Sequence, residues 1–188
     1  MIILGIDPGT VRMGYAVVQC DKKQPKKVLS IGYIDLTSIP EHPEKLKVIY
    51  EKLDNIITQY RPDEVAIELP FYGKNVQSML KLGRAQGIAM AVAFAHQLPV
   101  AEYSPKKIKL SITGNGNASK EQVAGVLKNI VAFDYSEKYY DATDALAVAI
   151  GHCFQINYLV QNLQLKKTST RQKQSWKRFI EKNPERTI

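Results

Sequence analysis

The first part of the chain alternates short apolar runs with turn residues, a pattern that predicts β-structure. Ile2–Ile6 is apolar, Asp7–Thr10 has the composition of a turn, and a second apolar run covers Gly14–Val18. We therefore expect a β-hairpin. A polar, lysine-rich connection, Cys20–Val28, leads to a predicted third strand at Leu29–Leu36. Three consecutive strands of this kind form an antiparallel meander.

Beyond the meander, the apolar spacing becomes that of helices alternating with short strands. The first helix begins at Pro43-Glu44 and ends at Arg61-Pro62. The other predicted elements are a strand at Val65–Leu69, a long helix at Val76–His96, a strand at Pro99–Tyr103, a helix after Ser104-Pro105, a helix with the capping box Ser119/Gln122 and a helix from Asp141 to about Val160. This order predicts an α/β layer with a mixed sheet.

Two carboxylates interrupt apolar strands close to their carboxyl ends. They are Asp7 and Glu68. Sites in α/β sheets form beyond these ends, and we expect the two strands to be neighbours. Two buried anions repel each other unless they are protonated or neutralised by a cation. The alternative for Asp7 is that it caps the Asp-Pro-Gly turn.

A second carboxylate pair stands three residues apart at a predicted helix start. Asp141 and Asp144 share a face of the first turn, although an N-cap and a favourable interaction with the helix dipole explain this pair at least as well. Carboxylates without clustered cysteine or histidine favour a hard cation, so Mg²⁺ or Mn²⁺ fits better than zinc. Paired ions of this kind activate water and stabilise the leaving oxygen of a phosphodiester.

The charge distribution separates a domain from a tail. Of the formal net charge of +8, residues 166–188 carry +6 (eight Lys or Arg and two Glu), which leaves +2 for residues 1–165. We expect one domain at residues 1–164 and a disordered or weakly helical basic tail at residues 165–188. A polyanion partner explains this charge, but ribosomal, chaperone or merely solvated roles fit it as well.

The cysteines and the apolar runs predict the compartment. Cys20 and Cys153 lack zinc-binding spacing, so we expect reduced thiols. The apolar start is too short for a signal peptide, and the longest apolar segment, Ile88–Ala95, cannot span a bilayer. A soluble, cytoplasmic protein without a membrane partner is the expectation.

Four segments, in order, resemble the RuvC family of bacterial Holliday junction resolvases. They are Gly5–Thr10, Ile67-Glu68 with Phe71 nearby, Leu80–Gly83 and Asp141–Ala147. The resemblance runs from Met1 to about His152 and implies an RNase H-like fold with a mixed five-stranded sheet flanked by helices. It also implies a metal site that holds one or two Mg²⁺ ions per subunit, with Mn²⁺ able to substitute, at Asp7, Glu68, Asp141 and Asp144.

The activity that this resemblance implies is the symmetric nicking of four-way junction DNA in homologous recombination and repair. A metal-dependent endonuclease of this kind acts as a homodimer, and the implied partners are the branch-migration proteins RuvA and RuvB. Family lysines match Lys109 and Lys120, and the family's aromatic residue near the junction centre matches Phe71. The further DNA-binding residues that we expect are Tyr72, Lys74, Lys81, Arg84, Lys106 and Lys107.

The assignments of Lys120 and Phe71 each have an alternative. Lys120 also reads as the first residue of a capped helix. Phe71 also reads as a loop aromatic that folds back on the core, although stacking on an unpaired base is worth ~1 to 3 kcal/mol. We expect the tail either to tether DNA or, through Trp176, Phe179 and Ile180, to dock on the domain or on a partner protein.

Three rival functions share parts of the pattern. ATP-binding phosphotransferases of the actin, sugar-kinase and Hsp70 kind have a similar first phosphate loop, but they duplicate the domain, and this chain has no second such loop. The shorter YqgF group has a similar start and acts around RNA, whereas the long alanine-rich helix and the Asp141/Asp144 pair favour RuvC. A catalytically silent junction-binding module does not need the complete acidic set.

Overall fold

The computed structural model describes residues 1–21, 24–70, 75–133 and 140–156. Within this part of the chain, five strands form one sheet in the order β3-β2-β1-β4-β5. The strands are β1 (Ile2–Asp7), β2 (Arg12–Asp21), β3 (Gln24–Asp35), β4 (Glu64–Glu68) and β5 (Val100–Tyr103). β1 pairs with β2, and β2 with β3, in antiparallel fashion, whereas β1–β4 and β4–β5 are parallel pairs. The predicted meander and the predicted mixed sheet are therefore confirmed.

The prediction of a polar connection at Cys20–Val28 is wrong, because the described residues of this segment belong to the sheet. β2 continues to Asp21 and β3 begins at Gln24, with Gln19 paired to Lys27. Lysines and Pro25 are tolerated there because β3 is an edge strand, where exposed charge and proline also prevent pairing with a further strand. The ladder shifts register between Val17 and Val18 and again between Gln19 and Cys20.

Five helices surround the sheet in the described part of the chain. They are α1 (His42–Tyr60), α2 (Val76–Ala95), α3 (Pro105–Thr113), α4 (Lys120–Ile130) and α5 (residues 140–156). The predicted caps are confirmed, because Ser104 Oγ accepts a hydrogen bond from the Lys107 amide and Ser119 forms a complete capping box with Gln122. α1 ends at Arg61, whose φ of 47° is left-handed, just before Pro62.

One face of the sheet packs against α1 and α2. Leu4, Ile6 and Ile67 belong to the same buried cluster as residues of both helices, such as Ile49 and Ala89. The two helices run in parallel, because His96 near the end of α2 lies 2.7 Å from Asp54 of α1, while His42 and Arg84 lie close together towards their beginnings.

The opposite face of the sheet lies against α5, and glycine makes the close approach possible. A Cβ atom on Gly5 would lie 2.7 Å from the Ala149 amide nitrogen and would collide with the carbonyl oxygen of Ala145. A Cβ atom on Gly14 would collide in the same way with the backbone of Asp141. Since side chains alternate along a strand, this contact involves the face that α1 and α2 leave uncovered.

Several predictions fall on residues outside the described ranges. They concern the loop with Phe71, Tyr72 and Lys74, the end of the last helix beyond residue 156, and the basic tail at residues 165–188. Within the described ranges, Met1–Phe154 forms one compact unit, and both cysteines are buried and unbridged. No described helix has the length and apolar character needed to cross a membrane.

We predict that Gly5→Ala lowers the free energy of unfolding by roughly 1 to 3 kcal/mol, since the added methyl group meets backbone atoms that cannot move alone. Denaturant unfolding measures this change. Gly125→Ala is the control, because a Cβ atom there meets nothing within 4 Å. This exposed helical position should gain roughly 0.5 to 1 kcal/mol. Equal stability of Gly5→Ala and wild type would contradict the close approach of α5.

Candidate active site

Strand register places the first two carboxylates side by side. Ile6 of β1 is aligned with Ile67 of the parallel strand β4. Asp7 and Glu68 are the next residues, and each is the last residue of its strand. The prediction that these carboxylates lie at neighbouring strand ends is confirmed. The Asp-Pro-Gly turn that follows Asp7 does not remove this carboxylate from the site.

Helix α5 brings the second carboxylate pair to the same edge. Its first turn packs on Gly14, which is the β2 partner of Asp7. Burial raises the pKa of Asp7 well above its usual value, and the charges of Glu68, Asp144 and Asp141 raise it further. The charges of the three other predicted acidic residues therefore all act on Asp7 at this edge.

The carboxylates of the site are largely shielded from water, and this raises their pKa values. Burial and the charge of Asp144 raise the pKa of Glu68 to about 7, although Lys120 and Lys109 act against this shift. Burial also raises the pKa of Asp144, although the hydrogen bond and the charge of Lys120 oppose it. Carboxylates with raised pKa values lack sufficient compensating positive charge, which is the condition that a bound cation relieves.

Lys120 supplies part of that compensation. Its Nζ donates a hydrogen bond of 2.6 Å to Asp144 Oδ2. Burial favours the neutral amine, but the hydrogen bond to Asp144 and the charges of Asp144, Asp7 and Asp141 outweigh it and raise the pKa of Lys120. Lys120 is also the first residue of the capped helix α4. Lys120 is thus both the first residue of a capped helix and a neighbour of the acidic group, because the cap fixes the backbone from which its side chain reaches Asp144.

A cleft of about 310 Å³ opens at this edge. Its polar lining consists of Asp7, Glu68, Asp144, Lys109 and Lys120. The rest of the lining is largely apolar and comes from Pro8, Leu69, Pro70, Leu82, Pro105, Ile108, Val123 and Ala147. Asp141 lines a separate depression beside the turn after β1, together with Thr10, Arg12 and Thr37.

The donor chemistry of the site suits a hard metal ion. The candidate ligands are carboxylate oxygens, which Mg²⁺ and Mn²⁺ prefer. As the side chains lie in the described ranges, however, no three His, Cys, Asp or Glu residues converge closely enough to hold an ion. Asp144 instead contacts the Lys120 ammonium group. The residues fit the ion by their chemistry and charge.

The predicted DNA-binding residues occupy different places. Of the three lysines on α3, Lys109 lines the cleft, whereas Lys107 lies 5.0 Å from the centre of the Tyr103 ring. Lys106, Lys81 and Arg84 are exposed, the last two on α2. Phe71, Tyr72 and Lys74 lie outside the described residues, so their roles stay predictions.

The sequence patterns did not reveal a buried polar network behind the acidic edge. His152 of α5 contacts the Tyr103 hydroxyl at 2.6 Å through Nδ1 and Glu64 Oε2 at 2.9 Å through Nε2. Tyr103 is the β5 partner of Glu68, and burial followed by the charge of Glu64 raises its pKa to about 12. These hydrogen bonds hold α5 against β4, which carries Glu64 and Glu68, and against β5, which carries Tyr103. The sequence feature that could have indicated this network is the position of His152, eight residues after Asp144 on the buried face of α5.

We predict that Glu68 lowers the stability of the metal-free protein as the pH rises from about 4.5 to about 7. Because the pKa of Glu68 is raised from 4.5 to about 7 in the folded state, the folded protein keeps a proton in this range that the unfolded chain has released. Thermal unfolding in a chelator across this range measures the effect. Glu68→Gln should weaken this pH dependence and be more stable than wild type at pH 8. The exposed control Glu51→Gln should retain the wild-type pH dependence.

Comparisons with known proteins identify the family to which this chain belongs. The family model for the crossover junction endodeoxyribonuclease RuvC matches residues 3–152. The chain is 50% identical to RuvC of Bacteroides fragilis over 187 residues (98% of this chain, 95% of the relative) and 49% identical to RuvC of Cytophaga hutchinsonii over 185 residues (98% and 87%). Among solved structures, RuvC of T. thermophilus in complex with a Holliday junction substrate superposes with a TM-score of 0.76 at 28% identity (83% of this chain, 94% of that one). These likenesses confirm the predicted RNase H-like fold class, and the chain belongs to the RuvC family of crossover junction endodeoxyribonucleases.

Proposed function

We propose that this chain resolves Holliday junctions by cutting two strands symmetrically through metal-dependent phosphodiester hydrolysis, with Asp7, Glu68, Asp141 and Asp144 as its acidic metal-binding set. The observation that carries these assignments is the group of half-buried carboxylates with raised pKa values that faces a cleft beside Lys120. The relative from T. thermophilus has been solved with a Holliday junction substrate. Membership of this nuclease family leaves the phosphotransferase rival and the silent-module rival without support.

The metal ion that we propose is Mg²⁺, with Mn²⁺ able to replace it and one or two ions in each subunit. RuvC family nucleases are metal-dependent. When bound, such an ion activates a water molecule and stabilises the leaving oxygen. Oxygen-only ligands support this choice over zinc. Since Glu68 holds a proton up to a pH of about 7, the binding of the ion releases this proton and becomes stronger as the pH rises.

The lysines of the cleft act on the phosphate itself. Lys109 and Lys120 stand opposite the carboxylates in the same cleft, where each ammonium group can donate hydrogen bonds to a phosphate oxygen. With an ion held at Asp144, the hydrogen bond of Lys120 to that carboxylate would weaken, and the Lys120 ammonium group would be available to stabilise the charge that develops during cleavage. We propose that these two lysines orient the scissile phosphate.

One exposed face of α2 supports the proposal that this protein forms a homodimer. Exposed apolar or small residues follow one face of α2, opposite the buried Ala85 and Ala89: Val76, Leu80, Gly83, Gly87, Ala91 and Phe94. A Cβ atom on Gly83 or Gly87 would meet nothing within 4 Å, so this face is open. Contiguous exposed apolar surface marks an interface, and a two-fold axis places the same face of two copies together. The cytoplasmic location and the partners RuvA and RuvB stay predictions.

We predict that Asp144→Asn and Glu68→Gln each lower junction cleavage in Mg²⁺ by roughly 10²-fold or more, because transition-state charge loses its stabilisation. Junction affinity should change little, since lysine and arginine contacts to phosphate dominate it. Cleavage of a synthetic four-way junction and of a linear duplex, with binding measured in parallel, tests this. The exposed control Glu51→Gln should cut junctions at the wild-type rate. Near-wild-type cutting by Asp144→Asn would refute the acidic-site assignment, and equal cutting of duplex and junction by wild type would refute the junction preference.

We further predict that Leu80→Glu dissociates the dimer, since a charge in the middle of an apolar helix–helix contact is left unpaired. Sedimentation velocity measures the mass of wild type and variant at the same concentration. Leu110→Glu is the matched control, because Leu110 is equally exposed (54% for both side chains) but lies on α3. The proposal of this face fails if wild type is a monomer or if both variants remain dimers.

A further inference from the structure

A group of cations lies where the beginning of α1 meets α2. Burial lowers the pKa of the His42 imidazole, and the nearby charges of Arg84, Lys81 and Lys45 lower it further. Since α1 and α2 run in parallel, these side chains come from two helices that start at the same end of the layer. We call Lys45, Lys81 and Arg84 the α1/α2 cation cluster.

The cluster has no anionic partner in the described part of the chain. The salt bridges found there involve other residues, and the nearby carboxylates Glu41 and Glu44 are exposed and unpaired. His42 Nε2 is buried without a hydrogen-bond partner. Lys81 and Arg84 are exposed and Lys45 is half-buried, so an anion from solution can reach positive charges that no described carboxylate neutralises.

The cluster lies next to the cleft. Lys45 Nζ donates a hydrogen bond of 2.9 Å to the carbonyl oxygen of Thr10, three residues after Asp7. Leu82, which lies between Lys81 and Arg84 in the sequence, lines the cleft itself. The cluster therefore stands beyond the turn after β1, whereas Lys109 and Lys120 belong to the cleft. An ammonium group has three donors, so Lys45 keeps two for a ligand while it holds Thr10.

We propose that Lys45, Lys81 and Arg84 form a binding site for a phosphate group of the DNA backbone that flanks the phosphodiester to be cut. A phosphate accepts the planar, two-fold hydrogen bonding of an arginine and the point charge of a lysine. Contacts of this kind position a nucleic acid without reading its sequence. The inference rests on the proposed function, because it takes the junction as the ligand, and it adds Lys45 of α1 to the DNA-binding surface.

The experiment compares the salt dependence of binding. The variant Lys45→Ala/Arg84→Ala and the control Lys47→Ala/Lys52→Ala each lose two positive charges, and both control lysines are exposed on α1. Affinity for a four-way junction is measured without divalent metal over a range of salt concentrations. The slope of log affinity against log salt should become shallower by about 0.9 for each phosphate that the variant no longer neutralises. The cluster variant should show this change, and the control should keep the wild-type slope.

A second measurement separates phosphate binding from a structural role of Lys45. If Lys45 only held the turn at Thr10, the cluster variant would unfold at a lower temperature, but its salt slope would equal that of wild type. This result, or an equally shallow slope in the control, would overturn the inference. Lys45→Arg keeps the charge and should retain most of the wild-type slope.

The two proposals fail in different ways. A wild-type protein that cuts junctions while the cluster variant keeps the full salt slope would refute the phosphate site and leave the proposed function intact. A wild-type protein that does not cut junctions in Mg²⁺ would refute the proposed function. In that case the salt slope on a linear duplex still decides whether the cluster binds backbone phosphate, and an unchanged slope there refutes it.

Discussion

The candidate active site requires the fold to hold several carboxylates near one another where they are largely shielded from water. Both burial and mutual repulsion oppose this arrangement, as the raised pKa values of Asp7, Glu68 and Asp144 demonstrate. The backbone must therefore impose it. Parallel pairing of β1 with β4 fixes the first two carboxylates, and the glycines under α5 let a third and a fourth approach. The hydrophobic core that supports these elements provides the free energy that the acidic group removes.

Lys120 gives the site part of its compensating positive charge. Its ammonium group neutralises part of the charge on Asp144, and the capped start of α4 fixes the backbone that carries it. Asp144 and its compensating cation therefore come from different helices, which only the fold brings together.

Local sequence patterns predicted the strand ends, the helix caps and the two carboxylate pairs, because each rests on a few neighbouring residues. They failed at the start of β3, since an exposed edge strand needs no apolar run and its lysines resemble a loop. They also missed the contacts of His152 with Tyr103 and Glu64 and of Lys45 with Thr10. Such contacts join elements that are distant in the sequence, and only the folded chain brings them together. The same limit explains why Asp141, predicted beside Asp144, faces a neighbouring depression.

The described helices all begin at one edge of the sheet, and this arrangement affects the electrostatic potential there. Each described helix places a residue of its first two turns at the edge where β1 and β4 end. These residues are Lys45 of α1, Leu82 of α2, Pro105 of α3, Lys120 of α4 and Asp141 of α5. Every helix directs the positive end of its peptide dipoles towards its beginning. The layer as a whole is thus polarised, with its positive pole on the acidic edge. A polyanion is attracted to that edge by the backbone itself, and this attraction persists whichever bases the polyanion carries.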